Sequence, residues 1–537
     1  MVTGSADLIQ LGAKSDESAD AGVNRNGVKV TLTRSPVVVS KSGLSAGILV
    51  PPLALAYLAA AVRARGYSVV IVDPVGEAPQ EVHQISGRNA VSYGWNLEKV
   101  VEKIPADTRY IGVSCMFSHE WPFSKNLIKA IRGRFPDATI IVGGEHVTAA
   151  PEDSLRDCTA IDYAVLGEGE ETLVDLLDML QRGGDAASVA GVFFLRDNQA
   201  IRTTHRERLR NVDAIPRPAW DLVPIENYLA AGLSFGVGTG RTMPVLATRG
   251  CPYQCTFCSN PTMWTTRWYA RSPKDVADEI EFYTVHYRAD NFDFYDLTAI
   301  LKKTWIKEFC QELIDRKLTL TWQLPAGTRS EAIDRDVARL LAESGHRNLV
   351  YAPETGSEAM LKSIKKKVHL GRMAESMRGA IENGISIKLN MIFGFPQETR
   401  KDIFRSLWFL AKVAWLGVDD VTVNTFVAYP GSEIFEDLRK SGRIKTVDDD
   451  FYYDLIAYGD AKNFVSFAEY MGSRELLAYR LGSMALFYGL SYLFRPGRLF
   501  TTVWHLWRRD HRTRIEKALD ELLKRRRTRR EGSYAES

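Results

Sequence analysis

Residues 28 to 180 alternate short, unbroken apolar runs with longer stretches of helical period. The runs "VKVTLT", "YSVVIVD", "YIGVSC", "TIIVGG" and "YAVLGEGE" lack in–out alternation. Strands of this kind are buried on both faces, which predicts a parallel, doubly wound sheet covered by helices. The helix predicted in "PPLALAYLAAAVRARG" opens at Pro51-Pro52 and closes at Gly66, and further helices are predicted in "SKNLIKAIRGRF" and "ETLVDLLDML". A second alternation runs through "MPVLATRG", "NFDFYD", "LTWQLPA", "NLVYAPETGS", "SIKLNMIFGFP" and "DDVTVNTFVAYPGS", each with a helical stretch behind it or before the next. Six strand–helix units with short connections predict a parallel barrel, or an open part of one. The fold class expected is therefore α/β: a doubly wound N-terminal domain over 28–180, a linker over 181–240, a barrel over 241–444 and a helical extension over 445–537. The first 27 residues, rich in Ser, Asp, Gly and Asn, read as a disordered leader.

Composition narrows the class. With 45% hydrophobic and 25% charged residues, the chain is that of an ordinary globular protein. A net charge of +3 over 537 residues gives no global reason to expect a nucleic-acid partner. No run reaches the roughly 18 apolar residues of a membrane span. "ELLAYRLGSMALFYGLSYLF" is apolar but short, and the segment behind it, 495–530, is strongly basic. That pairing suits either a helical cap on the barrel with a solvated tail or peripheral contact with an anionic membrane surface. Few cysteines and no export signal make the cytoplasm the expected compartment.

The chemistry concentrates in "ATRGCPYQCTFCSN", which places Cys251, Cys255 and Cys258 within eight positions. The other three cysteines, Cys115, Cys158 and Cys310, stand in apolar or helical stretches, and no histidine lies near the loop. A closed zinc site needs a fourth ligand from elsewhere, and a disulfide framework needs partners that are not there. Three thiolates on one loop leave an open position on a metal, which is where substrate binds. Polar residues also end the apolar runs: Asp296, Arg329, Glu354 and Asn390 in the second alternation, and Ser114, Gly143, Gly144, Glu145, Gly167 and Glu168 in the first. In parallel α/β folds ligands bind beyond these carboxyl ends. Taken singly, each is equally a helix cap, a surface pair or a strand-to-helix turn.

The spacing C-x-x-x-C-x-aromatic-C, with Phe257 as the aromatic, resembles the signature of radical S-adenosylmethionine (SAM) enzymes. The ordered set "PPLALAYLAAAVRARGYSVVIVD", "IGVSC", "IIVGGEHVTAAPE" and "LGEGEETL" ahead of it resembles the cobalamin-binding domain fused to many of them, over about residues 28–180. The resemblance implies that the three cysteines are catalytic and hold a [4Fe-4S] cluster whose fourth iron is chelated by the amino and carboxylate groups of SAM. It implies a partial barrel of six units. It further implies that Asp296 meets the SAM amino group, Glu354 the ribose or methionyl part, Arg329 the carboxylate, and Asn390 the adenine or ribose. Ser114, Gly143, Gly144, Glu145, Gly167 and Glu168 would line the cobalamin. The D-x-H-x-x-G motif of many cobalamin domains is missing, as is common in this group, so water or nothing would stand below the cobalt. His119 and Trp121, just past the third strand, could approach the corrin or simply pack.

By the same resemblance, reduction of SAM gives a 5'-deoxyadenosyl radical that abstracts hydrogen from an unactivated carbon. In methylating members methylcobalamin then donates the methyl group. A C-methyltransferase acting on a hydrophobic small molecule, lipid-like or a tetrapyrrole, is the expected activity, with flavodoxin or ferredoxin as electron donor. A cyclase or rearrangement enzyme without net methylation is the alternative within the class, and a non-catalytic cobalamin or iron-sulfur sensor the alternative outside it.

Overall fold

The computed structural model describes residues 25, 27–41, 49–237, 240–456, 465–508 and 516. Of the expected leader only Arg25 and Gly27 fall among them, and most of the basic tail lies outside.

The first sheet uses β1 (Lys29–Arg34), β2 (Ser68–Val72), β3 (Thr108–Ser114), β4 (Thr139–Gly143), β5 (Tyr163–Val165), β6 (Val192–Arg196) and β7 (Gln199–Arg202). Its order is β7-β6-β5-β4-β3-β1-β2. The five strands from β1 to β5 are parallel. Both faces of β1 are buried, Val30 and Leu32 on one and Thr31 and Thr33 on the other, as the unbroken run requires. Strand order reverses between β1 and β3, so the crevice where a doubly wound sheet takes its ligand opens beyond Arg34 and Ser114.

The expected linker is partly sheet. β6 pairs antiparallel to β5, and β7 returns through a turn at Asp197 and Asn198, whose φ of 50° and 61° suits those short polar side chains. The rest of 203–237 is anchored at both ends. Tyr228 donates to Asp73 of the first domain at 2.6 Å, and Gly236 N–H donates to Asp293 of the second at 2.8 Å. A small sheet of Val37–Ser40, Ala90–Tyr93 and Val82–Gln84 lies outside the sequence expectation.

The second sheet takes β8 (Thr242–Val245), β9 (Asn291–Phe294), β10 (Thr321–Thr328), β11 (His346–Glu354), β12 (Ser386–Phe393) and β13 (Asp420–Thr425), parallel and in chain order. β8 and β13 are its two edges, so this is an open partial barrel. Helix Ser473–Phe494 closes the β13 edge: the buried Arg480 donates to the Val423 carbonyl at 2.7 Å, and the Tyr488 hydroxyl accepts from Val421 N–H at 3.4 Å. Side chains thus satisfy groups that an edge strand would leave open. The extension also touches the first domain, where Lys125 bonds Asp449 at 2.6 Å and Tyr452 meets the His146 ring. Among the described residues no helix is long and apolar enough to cross a membrane.

Candidate active site at the domain junction

The cysteine loop follows β8, which ends at Val245, and is fixed by backbone bonds from both sides. Thr256 N–H donates to Ile364 O at 3.1 Å, and Ile434 N–H donates to Thr256 O at 3.0 Å. Cys258 N–H closes a turn onto Cys255 O at 3.1 Å, and the Asn260 amide reaches Cys251 O at 3.4 Å. All three cysteines are half-buried and free of disulfides. Burial pushes the Cys258 thiol up to about 12, with the charge of Glu145 adding to it. Burial raises Cys251 and Cys255 too, but Arg329 and Lys366 pull both back toward thiolate. Thiols in a half-buried cleft beside two cations fit a group that takes them as thiolates. Among the described residues no three His, Cys, Asp or Glu side chains converge on a single ion. A four-iron cluster needs no such convergence, because each thiolate takes its own iron.

Around the loop stand the polar strand ends. Asp296, just past β9, is turned toward the root of the loop: it accepts from Thr248 Oγ1 at 2.5 Å and Ala247 N–H at 3.2 Å. Burial raises its pKa to about 6. Arg329 lays its guanidinium over the Tyr253 ring, 3.7 Å from the centroid, and bonds the Lys367 carbonyl and Glu331. Its Nε is buried without a partner. Glu354 ends β11 with φ of 69°, a left-handed conformation costly for a side chain with Cβ, and such strain collects at functional sites. Asn390 has a buried, unpartnered Oδ1, and Asn424 on the adjacent β13 has another. Both amide oxygens are free to accept from a bound donor.

Two residues here escaped the sequence reading. Lys366 bonds the Glu354 carboxylate at 2.7 Å and lies over Phe257, 5.8 Å from the ring centre. Burial alone would lower its pKa, but Glu354 and Cys255 outweigh burial and raise it. In sequence it is the middle of three lysines, which reads as a solvated charge run. Glu398 is fully buried, accepts from Gly394 N–H at 2.6 Å, and is pushed by burial to about 8. It holds the turn that follows β12 as a neutral acid.

The first domain faces this loop with its own strand ends. Gly144 has φ of 114°, and a Cβ there would stand 2.6 Å from the Cys115 carbonyl, so the backbone itself demands glycine. Gly143 is different: a Cβ would stand 3.4 Å from the Val165 carbonyl oxygen, an ordinary contact, so the backbone itself does not demand glycine. The switch point at the ends of β3 and β4 is where a doubly wound sheet would take a large ligand. Gly167, φ 73°, donates its N–H to Thr148 Oγ1 at 3.1 Å. His119 is held neutral, lowered to about 4 by burial, with Nδ1 unpartnered. Trp121 is core, donating to Asp157 at 2.8 Å.

Glu145 and Glu168 both reach partners outside the first domain. Glu145 accepts from Ser259, one residue past Cys258. Glu168 accepts from Arg208 at 2.7 Å, Leu209 N–H at 3.0 Å and Arg249 at 3.3 Å. Arg249 also bonds Glu170 at 2.5 Å. The Ser259 hydroxyl holds Glu145, and cations of the barrel and the connecting segment hold Glu168 and Glu170. These contacts dock the cysteine loop, which begins two residues after Arg249, onto the first domain.

Comparison with known proteins agrees with this geometry. The B12 binding domain model matches residues 41–177 and the Radical SAM superfamily model matches residues 245–410. An uncharacterized methyltransferase of Pyrococcus horikoshii is 28% identical, over 72% of this chain and 78% of its own length. The cytidylyl-2-hydroxyethylphosphonate methyltransferase of Streptomyces wedmorensis is 28% identical, over 64% and 69%. The anaerobic magnesium-protoporphyrin IX monomethyl ester cyclase of Synechocystis is 28% identical, over 53% of this chain and only 56% of the cyclase. In structure, the methyltransferase TsrM of Kitasatospora setae, solved with cobalamin and a [4Fe-4S] cluster, matches with a TM-score of 0.64 at 16% identity, over 86% of this chain and 88% of its own. OxsB, solved with aqua-cobalamin and SAM, matches with a TM-score of 0.64 at 15% identity, over 93% and 80%. At such identity these two show the fold. With a cobalamin domain, a radical SAM barrel and a cysteine loop between them, this chain belongs to the cobalamin-dependent radical SAM enzymes, whose cofactors are cobalamin, a [4Fe-4S] cluster and SAM.

Proposed function

We propose that this enzyme is a C-methyltransferase that acts on an unactivated carbon of a hydrophobic small molecule. The observation that carries the reading is the docking of the cysteine loop onto the cobalamin domain through Ser259–Glu145 and Arg249–Glu168–Glu170. A substrate at the carboxyl ends of the barrel strands would meet both cofactors there. When bound, cobalamin supplies a transferable methyl group, and SAM with the cluster supplies a hydrogen-abstracting radical.

The residues divide the labour. Cys251, Cys255 and Cys258 would hold the cluster. Lys366 and Arg329 keep positive charge beside those thiols, and Arg329 would pair with the SAM carboxylate. Glu354, fixed by Lys366, and Asn390 would orient SAM by hydrogen bonds, and Asp296 holds the loop root from which Cys251 is reached. Ser114, Gly143 and Gly167 would line the corrin. Residues 28–180 and 241–444 are the proposed cofactor-binding units, and a flavodoxin or ferredoxin is the proposed electron donor. Cyclisation without net methylation remains the second reading, favoured by the likeness to the Synechocystis cyclase.

One experiment separates the two. Anaerobically reconstituted protein with reductant, SAM, cobalamin and a panel of tetrapyrroles and isoprenoid lipids should yield 5'-deoxyadenosine and S-adenosylhomocysteine together. Methylation consumes SAM in both ways, once for the radical and once to restore the methyl group. Deoxyadenosine without S-adenosylhomocysteine would replace methyl transfer with cyclisation.

A further inference from the structure

Helices Arg400–Leu416 and Ser473–Phe494 lie side by side on the outside of the barrel and run in the same direction. At one end a Cβ on Gly394, in the turn after β12, would stand 2.9 Å from Leu476. At the other, Arg495 donates to the carbonyls of Ala414 and Trp415 at 3.1 and 3.0 Å. Aromatic pairs join them along their length: Phe404 with Tyr479 at 6.2 Å and Trp415 with Phe494 at 4.7 Å. The second helix has 22 residues, which gives a face about 33 Å long.

The outer side of this pair is apolar to a degree that barrel packing does not explain. Trp408, Trp415 and Phe404 are 76%, 66% and 59% exposed. Between Arg480 and Arg495 the second helix carries no charged residue, and it exposes Leu481, Leu486 and Leu493. The next helix, Gly497–Arg508, follows directly and also exposes Phe500, Trp504 and Trp507. Contiguous apolar surface of this extent marks an interaction site.

Charge selects the occupant. The exposed stripe that carries Trp408 and Trp415 also carries Lys401 and Lys412, with Arg405 paired to Asp402. The acids nearby are turned inward or spent: Asp402 bonds Ser357 at 2.6 Å as well as Arg405, and Glu475 is held by Arg400. A second copy of this chain, meeting the face about a two-fold axis, would bring the same cations together. The basic segment 524–530 would be repelled likewise. Anionic lipid satisfies both parts, since tryptophans sit at the headgroup level and lysine or arginine beside them meets the phosphates. We propose that this two-helix face, together with helix Gly497–Arg508, is a docking surface for an anionic lipid membrane. It needs no particular reaction in the barrel, so it stands apart from the methyl-transfer reading.

The test is sedimentation of the full chain with vesicles of phosphatidylglycerol and phosphatidylcholine, and with vesicles of phosphatidylcholine alone. Binding is expected to the mixed vesicles only, to weaken with salt, and to shift tryptophan emission to the blue. Lys401→Glu with Lys412→Glu should weaken binding by at least about fivefold. Trp408→Ser with Trp415→Ser should weaken it similarly, with circular dichroism unchanged. Absence of binding, equal binding to both vesicles, or variants that bind as the parent does would overturn the proposal. So would a solution dimer dissociated by Trp408→Ser, which would make a second copy the occupant.

Discussion

The Lys366 ammonium stands 2.7 Å from Glu354 Oε1 and also lies over the ring of Phe257, the aromatic residue of the cysteine loop. Both charges are largely shielded from water. Removing one partner of a buried pair strands the other, at a cost of about 3 kcal/mol or more. Lys366→Met should therefore destabilise the protein in urea titrations. The double variant Lys366→Met/Glu354→Gln should recover much of that loss, and both should weaken SAM binding in calorimetry. Unchanged SAM affinity in both would place the pair outside the cofactor site.

The three cysteines of the loop should account for the iron. Reconstituted protein should hold about four irons per chain, and alanine at Cys251, Cys255 or Cys258 should abolish the cluster's visible absorbance. Cys158→Ala and Cys310→Ala should not, because both side chains are buried in helix and strand packing away from the loop.

Glycines 143 and 144 should fail in different ways. Gly144→Ala drives a methyl into the Cys115 carbonyl and forces a left-handed backbone, so the cobalamin domain should lose on the order of 2 kcal/mol of stability with or without ligand. Gly143→Val should keep the apo melting temperature but lose retention of hydroxocobalamin on gel filtration. Normal retention by Gly143→Val would move the corrin elsewhere.

Glu398 should shape the stability–pH profile. Its folded pKa, about 8, lies above the usual carboxylate range, so the native state binds more protons than the unfolded state between those values. Stability from this group is complete at low pH and declines as pH rises from about 4.5 toward about 8. Glu398→Gln keeps an acceptor for Gly394 and removes the titration, so the decline should flatten. An unaltered profile would mean that the carboxyl titrates alike in the folded and unfolded states.

The docking contacts between the domains should matter to coupling. Arg249→Met should leave SAM cleavage intact while lowering the yield of methylated product per deoxyadenosine. An equal fall in both would make Arg249 a determinant of the cysteine loop alone.

The barrel and the cysteine loop were legible because their signals are local. A strand–helix unit announces itself within about twenty residues, and three thiols in eight positions need no tertiary knowledge. What was not legible depends on distant partners. Lys366 and Lys365 are neighbours of the same type, yet one is buried on Glu354 and the other faces Glu433 at the surface. Nothing local to Glu168 showed that Arg208 and Arg249, 40 and 81 positions away, share its oxygens. The sheet of Val37–Ser40 and Ala90–Tyr93 pairs strands about fifty residues apart, which no periodicity encodes.

The closing of β13 by Arg480 and Tyr488 has a consequence for how the chain is made. During synthesis β13 emerges and pairs with β12, but its other edge keeps open backbone groups until Tyr488, 67 positions beyond Val421, has left the ribosome. Until then the nascent barrel presents a ready template for strands of other chains. Chains cut short before Ser473 should therefore aggregate during expression even though every barrel strand is present, and helix Ser473–Phe494 supplied in trans should restore part of the yield.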